Sequence, residues 1–207
     1  MRASITADCA VVVFARAPVP GAAKTRLIPR LGAWRAAALQ ARLTERAVRT
    51  ATAARVGEVL LCVTPRRSHP AFLLLSGKYR VKITLQGGGD LGQRMRQALD
   101  RALRRHRAAV IIGTDCPSLT PQDLRRAARL LRGDCDVVLA PAEDGGYVLI
   151  GLSKACPRLF EGIEWGGSSV LRETLARSEG LKVKLLRTLW DVDRPQDLER
   201  LRALRSS

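Results

Sequence analysis

The sequence predicts an α/β fold in which helices cover both faces of a mostly parallel sheet. Short apolar runs alternate with longer amphipathic segments, which is the pattern of repeated strand and helix units. Residues 9–15 form a continuous apolar run, as expected for a strand that is buried on both faces. Residues 33–56 are rich in Ala, Leu and Arg, which favour helix. We therefore expect one three-layer αβα domain over residues 1–207.

Further strands and helices follow in order along the chain. Six more apolar runs predict strands over residues 59–64, 81–85, 110–113, 136–140, 147–152 and 183–186. Periodic apolar residues and helix-forming composition predict helices over residues 90–107, 168–178 and 195–205. Another helix is expected to begin at Pro121, because Thr120 is a favourable N-cap and proline suits the first helical position.

The strong positive charge raises nucleic-acid binding as a hypothesis. The chain has 36 Lys and Arg against 19 Asp and Glu, for a net charge of +17. Only 4% of its residues are aromatic, and neither an RNA-binding aromatic cluster nor zinc-finger spacing is present. A solvated arginine-rich surface is the favoured interpretation. A non-catalytic nucleic-acid-binding protein is the remote alternative.

Cysteine, histidine and hydropathy patterns exclude several other classes. The five cysteines contain no CxxC pair and do not indicate a disulfide framework or a zinc site. His69 and His106 are the only histidines, and neither follows a predicted strand, which disfavours histidine-based catalysis. The N-terminus lacks the features of a signal peptide, and no apolar run approaches the ~20 residues of a membrane span. We expect a cytoplasmic protein with no membrane partner.

Charged residues follow the first predicted strand, at the edge where open α/β sheets bind ligands. Arg16, Lys24 and Arg26 lie in this loop and could neutralise phosphate oxygens, while Gly21 allows close approach of the backbone. The loop lacks the GxxxxGK[ST] pattern of a P-loop. A basic loop of this kind can equally be a solvent-exposed loop that binds no ligand.

Carboxylates follow two other predicted strands. Asp115 comes directly after residues 110–113, and Asp191 and Asp193 come after the last strand. Oxygen ligands at strand ends suit a divalent cation that also holds phosphates. The alternative is that Asp115 caps a turn and that Asp193 caps the final helix.

Two glycine-rich segments remain ambiguous from their residues. The segment from Glu143 to Tyr147 suits a hairpin turn or a place where a substrate presses against the backbone. The segment from Gln86 to Met95 is a strand-to-helix turn that could contact the edge of a nucleobase.

Six ordered segments carry a resemblance to a known family. They are ARAPVPGAAKTRL, GDLGQRM, GTDCPSLT, APAEDGGYVLIGL, LFEGIEWGGSSVL and DVDRPQDL, and they extend from about residue 10 to residue 204. They resemble the GT-A-type, nucleotide-diphospho-sugar transferase-like family of arsenosugar-biosynthesis-type glycosyltransferases. The AKTRL segment is also similar to 2-phospho-L-lactate guanylyltransferase and, more loosely, to molybdenum-cofactor guanylyltransferases.

The resemblance implies a GT-A fold and assigns roles to three groups of residues. Those that would contact the nucleotide are Arg16, Gly21, Lys24, Arg26, Gln86 and Gly92. Those that would bind Mg²⁺ or Mn²⁺ are Asp115 with Asp193, or less surely Asp191. Those that would line the acceptor pocket are Asp144, Gly145, Gly146, Tyr147 and Trp165. One departure is visible, because Gly166 and Gly167 stand where the family usually has small hydroxyl residues.

The predicted function is a metal-dependent transferase acting on an activated nucleotide, with Lys24, Arg26, Asp115 and Asp144 as catalytic residues. Nucleotidyl transfer from a nucleoside triphosphate to a small phosphorylated acceptor is slightly favoured, because the basic loop suits a triphosphate. The alternative is glycosyl transfer from a nucleoside-diphosphate sugar, which the family resemblance favours. Asp144 is the candidate general base, needed only for a hydroxyl acceptor. The base, the sugar, the acceptor and homodimer formation are left open.

Overall fold

A computed structural model describes residues 8–206. Within this range seven strands form one sheet: β1 Cys9–Arg16, β2 Val59–Thr64, β3 Lys82–Leu85, β4 Ala108–Ile112, β5 Val137–Pro141, β6 Tyr147–Leu152 and β7 Val183–Leu185. Their spatial order is β3-β2-β1-β4-β6-β5-β7. Only β6 runs antiparallel to its neighbours among these strands. Residues 1–7, on which the signal-peptide expectation partly rests, lie outside the described residues.

The described helices are α1 Ile28–Leu31, α2 Ala33–Ala54, α3 Pro70–Tyr79, α4 Leu91–Leu103, α5 Pro121–Arg132, α6 Val170–Ala176 and α7 Asp197–Ser206. Short 3₁₀ turns cover Thr25–Leu27 and Pro157–Phe160. None of these helices is both long and apolar enough to cross a lipid bilayer.

Alternating residues of the sheet enter two cores, which makes the architecture three-layered. In β1, Val11 and Val13 pack in the core that α2, α3 and α5 cover. Ala10 and Val12 point to the opposite face, where α4 and the turn Pro157–Phe160 pack. Each fully buried Val or Leu side chain stabilises the fold by about 1.5–3 kcal/mol. The predicted α/β fold with a mostly parallel sheet is confirmed.

The sequence did not predict helices α1 and α3, and strands β3, β4 and β5 begin at other residues than predicted, with β5 at Val137, one residue late. Helix α3 contains the run Phe72 to Leu75, of which Phe72 and Leu75 are buried while the two leucines between them are exposed. A continuous apolar run of this kind does not show helical periodicity. Strand β3 begins one residue later than predicted. Strand β4 begins at Ala108, two residues earlier than predicted, because Ala108 and Ala109 pair with β1.

Helix α5 begins as predicted, and its cap reaches a distant arginine. Thr120 and Asp123 bond reciprocally: the Asp123 N–H donates to Thr120 Oγ1 (3.3 Å) and the Thr120 N–H to Asp123 Oδ2 (2.9 Å). The Arg187 guanidinium donates to both carboxylate oxygens of Asp123, at 3.0 and 2.8 Å. Burial raises the pKa of Asp123. The hydrogen bonds from Arg187 and Thr120 together lower it by more than burial raises it, so this pKa lies below its usual value.

Replacing Asp123 by asparagine is expected to lower the free energy of unfolding by about 1–3 kcal/mol near neutral pH, because a buried charge-assisted network loses its anion. A carboxyl whose folded pKa is depressed stabilises the protein above its unfolded pKa, near 4, and loses that contribution as pH falls. The difference between wild type and Asp123→Asn should therefore shrink below about pH 4. Urea denaturation at a series of pH values measures it.

Asp134→Asn is the matched control, since Asp134 also forms an ion pair, with Lys182, but at an exposed position. It should change stability by no more than about 0.5 kcal/mol. Equal destabilisation by the two substitutions would contradict a structural role for the α5 cap.

Candidate functional site

A pocket of about 650 Å³ opens beyond the carboxyl ends of β1, β2 and β4. The residues around it come from the loop after β1, the β3–α4 connection, the end of β4 and the segment before α7. Those with charged or polar side chains are Arg16, Lys24, Thr25, Arg26, Gln40, Thr64, Gln86, Arg94, Thr114, Asp115 and Asp193. The structure thus brings together residues that are distant in sequence.

The loop after β1 is shaped by two residues in left-handed backbone conformations. Gly21 has φ +82° and is exposed, and Lys24 has φ +50°. Lys24 is the residue before the 3₁₀ turn Thr25–Leu27. This turn contains Arg26, which lines the pocket. Arg16 is the last residue of β1, and its exposed side chain has no hydrogen-bond or ion-pair partner among the described residues.

The Lys24 side chain is almost fully buried beneath the pocket. Its Nζ lies 2.9 Å from Asp115 Oδ2 and donates to the Val192 carbonyl at 2.5 Å. The Val192 N–H in turn donates to the Asp115 carbonyl at 2.8 Å. Lys24 is therefore a buried cross-link between the loop after β1, the end of β4 and the segment before α7. Its predicted contact with phosphates stays a prediction.

Asp191 and Asp193 lie in different surroundings. Asp193 forms an ion pair with Arg26, and its N–H donates to the Asp197 carboxylate at 3.0 Å. Burial, together with the negative charges of Asp115 and Asp144, raises the pKa of Asp191 to about 7. Asp191 is thus close enough to Asp115 to be affected by its charge, while Asp193 lines the first pocket together with Asp115. The choice between Asp193 and Asp191 as the partner of Asp115 stays a prediction.

The oxygen ligands at this site fit a hard divalent cation that is shared with a substrate. Magnesium is commonly held by one or two carboxylates together with substrate phosphates, without a cage of protein ligands. In the described residues no three His, Cys, Asp or Glu side chains form a ready cluster for a metal ion. The pair Asp115 and Asp191 matches the simpler arrangement, because their mutual repulsion would be relieved by a cation.

The β3–α4 connection contributes Gln86, and the first turn of α4 contributes Arg94, which was not predicted as a site residue. Gln86 Nε2 donates to the carbonyls of Cys62 (3.1 Å) and Ala15 (3.4 Å). Its Oε1 accepts from Arg94 Nη1 at 3.3 Å, which holds Arg94 in the pocket wall. Only the position of Arg94 in the first turn after a glycine-rich loop could have signalled this, since α4 carries several other arginines.

Gly92 lies beneath the indole of Trp165. A Cβ atom at residue 92 would lie 2.4 Å from the Trp165 ring, so that only glycine allows this packing. The ring belongs to the core on the α4 side of the sheet, and its Nε1 is buried without a partner among the described residues. Gly92 therefore contacts Trp165, and its predicted place beside the base stays a prediction.

A second pocket, of about 500 Å³, adjoins the first. Arg26 and Asp193 border both pockets, and Asp144, Asp191, Trp190 and Arg200 are among the other lining residues of the second. Asp144 Oδ1 accepts from the Gly146 N–H at 2.9 Å, which leaves the exposed carboxylate at the pocket edge. Asp144, a predicted acceptor residue, thus lines the same pocket as Asp191 and Asp193.

The residues that the C-terminal segment contributes to the second pocket were not predicted from the sequence. Arg200 in α7 binds both oxygens of Glu143, at 2.6 and 3.0 Å, and its guanidinium lies 4.5 Å from the centre of the Trp190 ring. Arg194 also lines this pocket and is exposed. Nothing local distinguishes these arginines from the many on the surface.

Tyr147 lies away from both pockets. Its ring packs in the core on the α4 side, and burial raises the pKa of its hydroxyl well above its usual value. This hydroxyl has no hydrogen-bond partner among the described residues. Its predicted contact with the acceptor therefore has no support from the geometry.

The two histidines also take no part in lining these pockets. His69 Nδ1 accepts from the Ala71 N–H at 3.3 Å at the start of α3, and His106 pairs with Glu58 at 3.0 Å. All five cysteines are free, in agreement with the sequence analysis.

Comparison with known families decides where the chain belongs. A family model matches residues 47–167, which is more than half of the chain. The chain belongs to the DUF2064 family. That family is described as an uncharacterized protein conserved in bacteria. A comparison of this DUF2064 chain with curated protein sequences finds no match.

Solved structures share the fold of this DUF2064 protein over most of its length. A candidate nucleotide-diphospho-sugar transferase from Desulfovibrio desulfuricans G20 is 28% identical, with a TM-score of 0.86 over 95% of this chain and 87% of that one. The 4-diphosphocytidyl-2C-methyl-D-erythritol synthase from Anaerococcus prevotii DSM 20548 is 12% identical, with a TM-score of 0.66 over 97% of each chain. Rv0371c from Mycobacterium tuberculosis H37Rv, in complex with manganese, is 18% identical, with a TM-score of 0.53 over 95% and 98%. The predicted nucleotide-diphospho-sugar transferase-like fold is confirmed.

Gly145→Ala is expected to destabilise the protein by about 3 kcal/mol or more. Gly145 has φ +90°, and a Cβ atom there would lie 2.0 Å from the Ser168 carbonyl oxygen, a backbone atom that cannot move without shifting the start of α6. Thermal or urea unfolding measures the effect. Gly180→Ala is the matched control, because Gly180 has φ +73° but open space around the added carbon, so that only about 1–2 kcal/mol of backbone strain remains. Equal costs for the two variants would contradict the close packing of Gly145 on Ser168.

Proposed function

We propose that this DUF2064 protein is a divalent-metal-dependent transferase that acts on an activated nucleotide, and that it transfers a nucleotidyl group to a small phosphorylated acceptor. One observation carries the proposal: cationic side chains line two adjoining pockets beyond the carboxyl ends of the parallel strands, and Asp115, Asp191 and Asp193 line the same pockets. Polyphosphates need cations around them, whereas the carboxylates would repel them unless a metal ion intervenes. The two features together suit a metal–nucleotide complex.

The proposed phosphate contacts come from the loop after β1. Arg16 is exposed at the end of its strand, and Arg26 is exposed with its guanidinium on Asp193. Arginine binds phosphate oxygens through two parallel N–H bonds. Lys24 has a positioning role in this proposal, because it fixes the Asp115 carboxylate from below.

Asp115 and Asp191 are the proposed ligands of the metal ion, Mg²⁺ or Mn²⁺. When bound, the ion would offset the negative charge on the phosphates and on the leaving group. Asp115 is held for this role by Lys24 and by the neighbouring Thr114 hydroxyl, which donates to Asp115 Oδ1 at 3.2 Å. The bound manganese in the mycobacterial neighbour is in keeping with such a site on this fold.

The acceptor would enter the second pocket, which shares Arg26 and Asp193 with the first. Arg26 and Arg194 could hold an acceptor phosphate. In the proposed reaction an acceptor phosphate oxygen forms a bond to the α-phosphorus, and the bond to the leaving pyrophosphate breaks. The name of the Anaerococcus prevotii neighbour, a diphosphocytidyl compound synthase, agrees with this class of reaction on the same fold.

Glycosyl transfer is the second candidate function. The Desulfovibrio desulfuricans neighbour, named as a candidate nucleotide-diphospho-sugar transferase, is the observation that favours it. In this reaction Asp144 would accept the proton of an acceptor hydroxyl as the hydroxyl oxygen bonds to the sugar carbon and the nucleoside diphosphate leaves. The exposed position of Asp144 beside the second pocket is compatible with that role.

Substrate panels distinguish the two reactions. We expect release of pyrophosphate when the protein is incubated with one of the four nucleoside triphosphates, Mg²⁺ and sugar phosphates. We expect no consumption of UDP- or GDP-sugars by the same preparation, because a triphosphate matches the charge of the pocket better. Consumption of a nucleotide sugar without pyrophosphate release would establish glycosyl transfer instead.

Asp115→Asn is expected to lower turnover by about 10²-fold or more, because it removes a charge from the proposed metal site. The amide oxygen can still accept from Lys24, so the variant should remain folded, which circular dichroism checks. Asp100→Asn, on the middle of α4 and outside both pockets, is the control and should retain activity. Wild-type turnover by Asp115→Asn would remove the metal site from the proposal.

A further inference from the structure

The Arg94 guanidinium is oriented in the nucleotide pocket without any carboxylate partner among the described residues. Its Nε donates to the Asp90 carbonyl at 3.2 Å and its Nη1 to Gln86 Oε1 at 3.3 Å. Arginine has five N–H donors. Three of them have no partner in the described part of the chain, and the side chain lines the pocket. Arg94 is therefore a fixed set of donors that faces a ligand site.

Gln86 orients this arginine, and both N–H groups of its side-chain amide are already used. Both of its Nε2 bonds go to strand carbonyls, those of Cys62 and Ala15, while its Oε1 accepts from Arg94. Because the two strand carbonyls fix the Gln86 amide, its Oε1 accepts the hydrogen bond from Arg94 at a defined position. We therefore assign Gln86 a positioning role, and Arg94 the contact with the ligand.

The loop between Gln86 and α4 is also held in place. Asp90 and Gln93 form a reciprocal cap, with bonds of 2.8 and 3.1 Å. Gln97 Nε2 donates to the Gly88 carbonyl at 3.3 Å. A Cβ atom at Gly87 would lie 1.6 Å from Gln97 Oε1, so the loop lies directly against α4. The guanidinium is thus pre-oriented before a ligand arrives, which lowers the entropic cost of binding.

Arg94 contacts a different part of the pocket from Arg26, one of the two proposed phosphate contacts. Lys24 and Arg26 are paired with Asp115 and Asp193, on the side of β4 and the segment before α7. Arg94 instead contacts residues of the β3–α4 connection and lines the pocket together with the exposed Leu91. The apolar side chain of Leu91 suits the flat face of a nucleobase, and the N–H groups of the Arg94 guanidinium suit the edge of the base.

We propose that Arg94 recognises the edge of the nucleobase and selects bases with two adjacent hydrogen-bond acceptors. Guanine offers N7 and O6, and cytosine offers N3 and O2, either of which matches two parallel N–H groups. Adenine places a donor beside its acceptors, and uracil has an N–H between its two carbonyls. The substrate is therefore a guanine or a cytosine nucleotide. This inference rests on the proposed function, because it names the substrate of the same site.

Isothermal titration calorimetry with GTP, CTP, ATP and UTP, each with Mg²⁺, tests the inference on the whole protein. We expect GTP or CTP to bind about 5- to 150-fold more tightly than ATP and UTP, which is the discrimination of one good bidentate contact. Whichever of GTP and CTP binds more tightly identifies the base. Arg94→Met should abolish the preference, and so should Arg94→Lys, which keeps the charge but not the fork.

Inorganic tripolyphosphate separates a base contact from a phosphate contact. Its affinity should be unchanged in Arg94→Lys and Arg94→Met if Arg94 contacts only the base. Arg96→Met is the matched control, because Arg96 lies on the same helix but pairs with Glu161 (3.6 Å) outside the pocket. This variant should keep the wild-type preference. Thermal unfolding of each variant verifies that it is folded.

Two results would overturn the assignment of Arg94 while leaving the proposed function intact. One is wild-type binding of ATP as tight as that of GTP and CTP. The other is an equal loss of affinity for all four nucleotides and tripolyphosphate in Arg94→Met, which would make Arg94 a phosphate ligand. Absence of binding by every nucleotide and nucleotide sugar would instead overturn the proposed function and this inference together.

Discussion

The site depends on one buried cross-link, the contact of Lys24 with Asp115 and with the Val192 carbonyl. Its three participants come from the loop after β1, the end of β4 and the segment before α7. A buried ammonium without an anion is strongly unfavourable, so these segments are held together. Around this cross-link the half-buried Asp191 is affected by the charge of Asp115, while Asp193 pairs with Arg26. The separation of the two acidic residues follows from the position of Val192 between them.

The same cross-link places two pockets side by side. Val192 packs with Leu27, Leu39 and Leu198 in a small cluster that joins α2 and α7 to the site. Arg26 and Asp193 then form the border between the proposed nucleotide pocket and the second pocket. A transferase needs its donor and acceptor in adjacent positions, because proximity supplies much of its rate enhancement. The fold meets this need with residues from both ends of the chain.

The net charge of +17 has two different roles in this arrangement. Arg16, Lys24, Arg26 and Arg94 border the proposed nucleotide site. Most arginines of α4 and α5 are exposed on the outer helix faces, where they can attract anionic ligands over longer distances. Some are also structural, as when Arg125 donates to the carbonyls of Ala53 and Ala54 at the end of α2. The positive charge that raised nucleic-acid binding as a hypothesis is thus divided between exposed helix surfaces and the residues that line one pocket.

The sequence by itself determined the strands, the α5 cap and the positions of cations and carboxylates at strand ends, because periodicity and capping are local properties. Only the tertiary structure decided what those groups contact. Lys24 and Val192 are separated by 168 residues, and no local pattern predicts that they bond. The commitment of Gln86 to strand carbonyls, the orientation of Arg94 and the burial of Tyr147 arise in the same way. Each depends on which neighbours the sheet order brings near, and side-chain partners in a packed interior are set by that proximity.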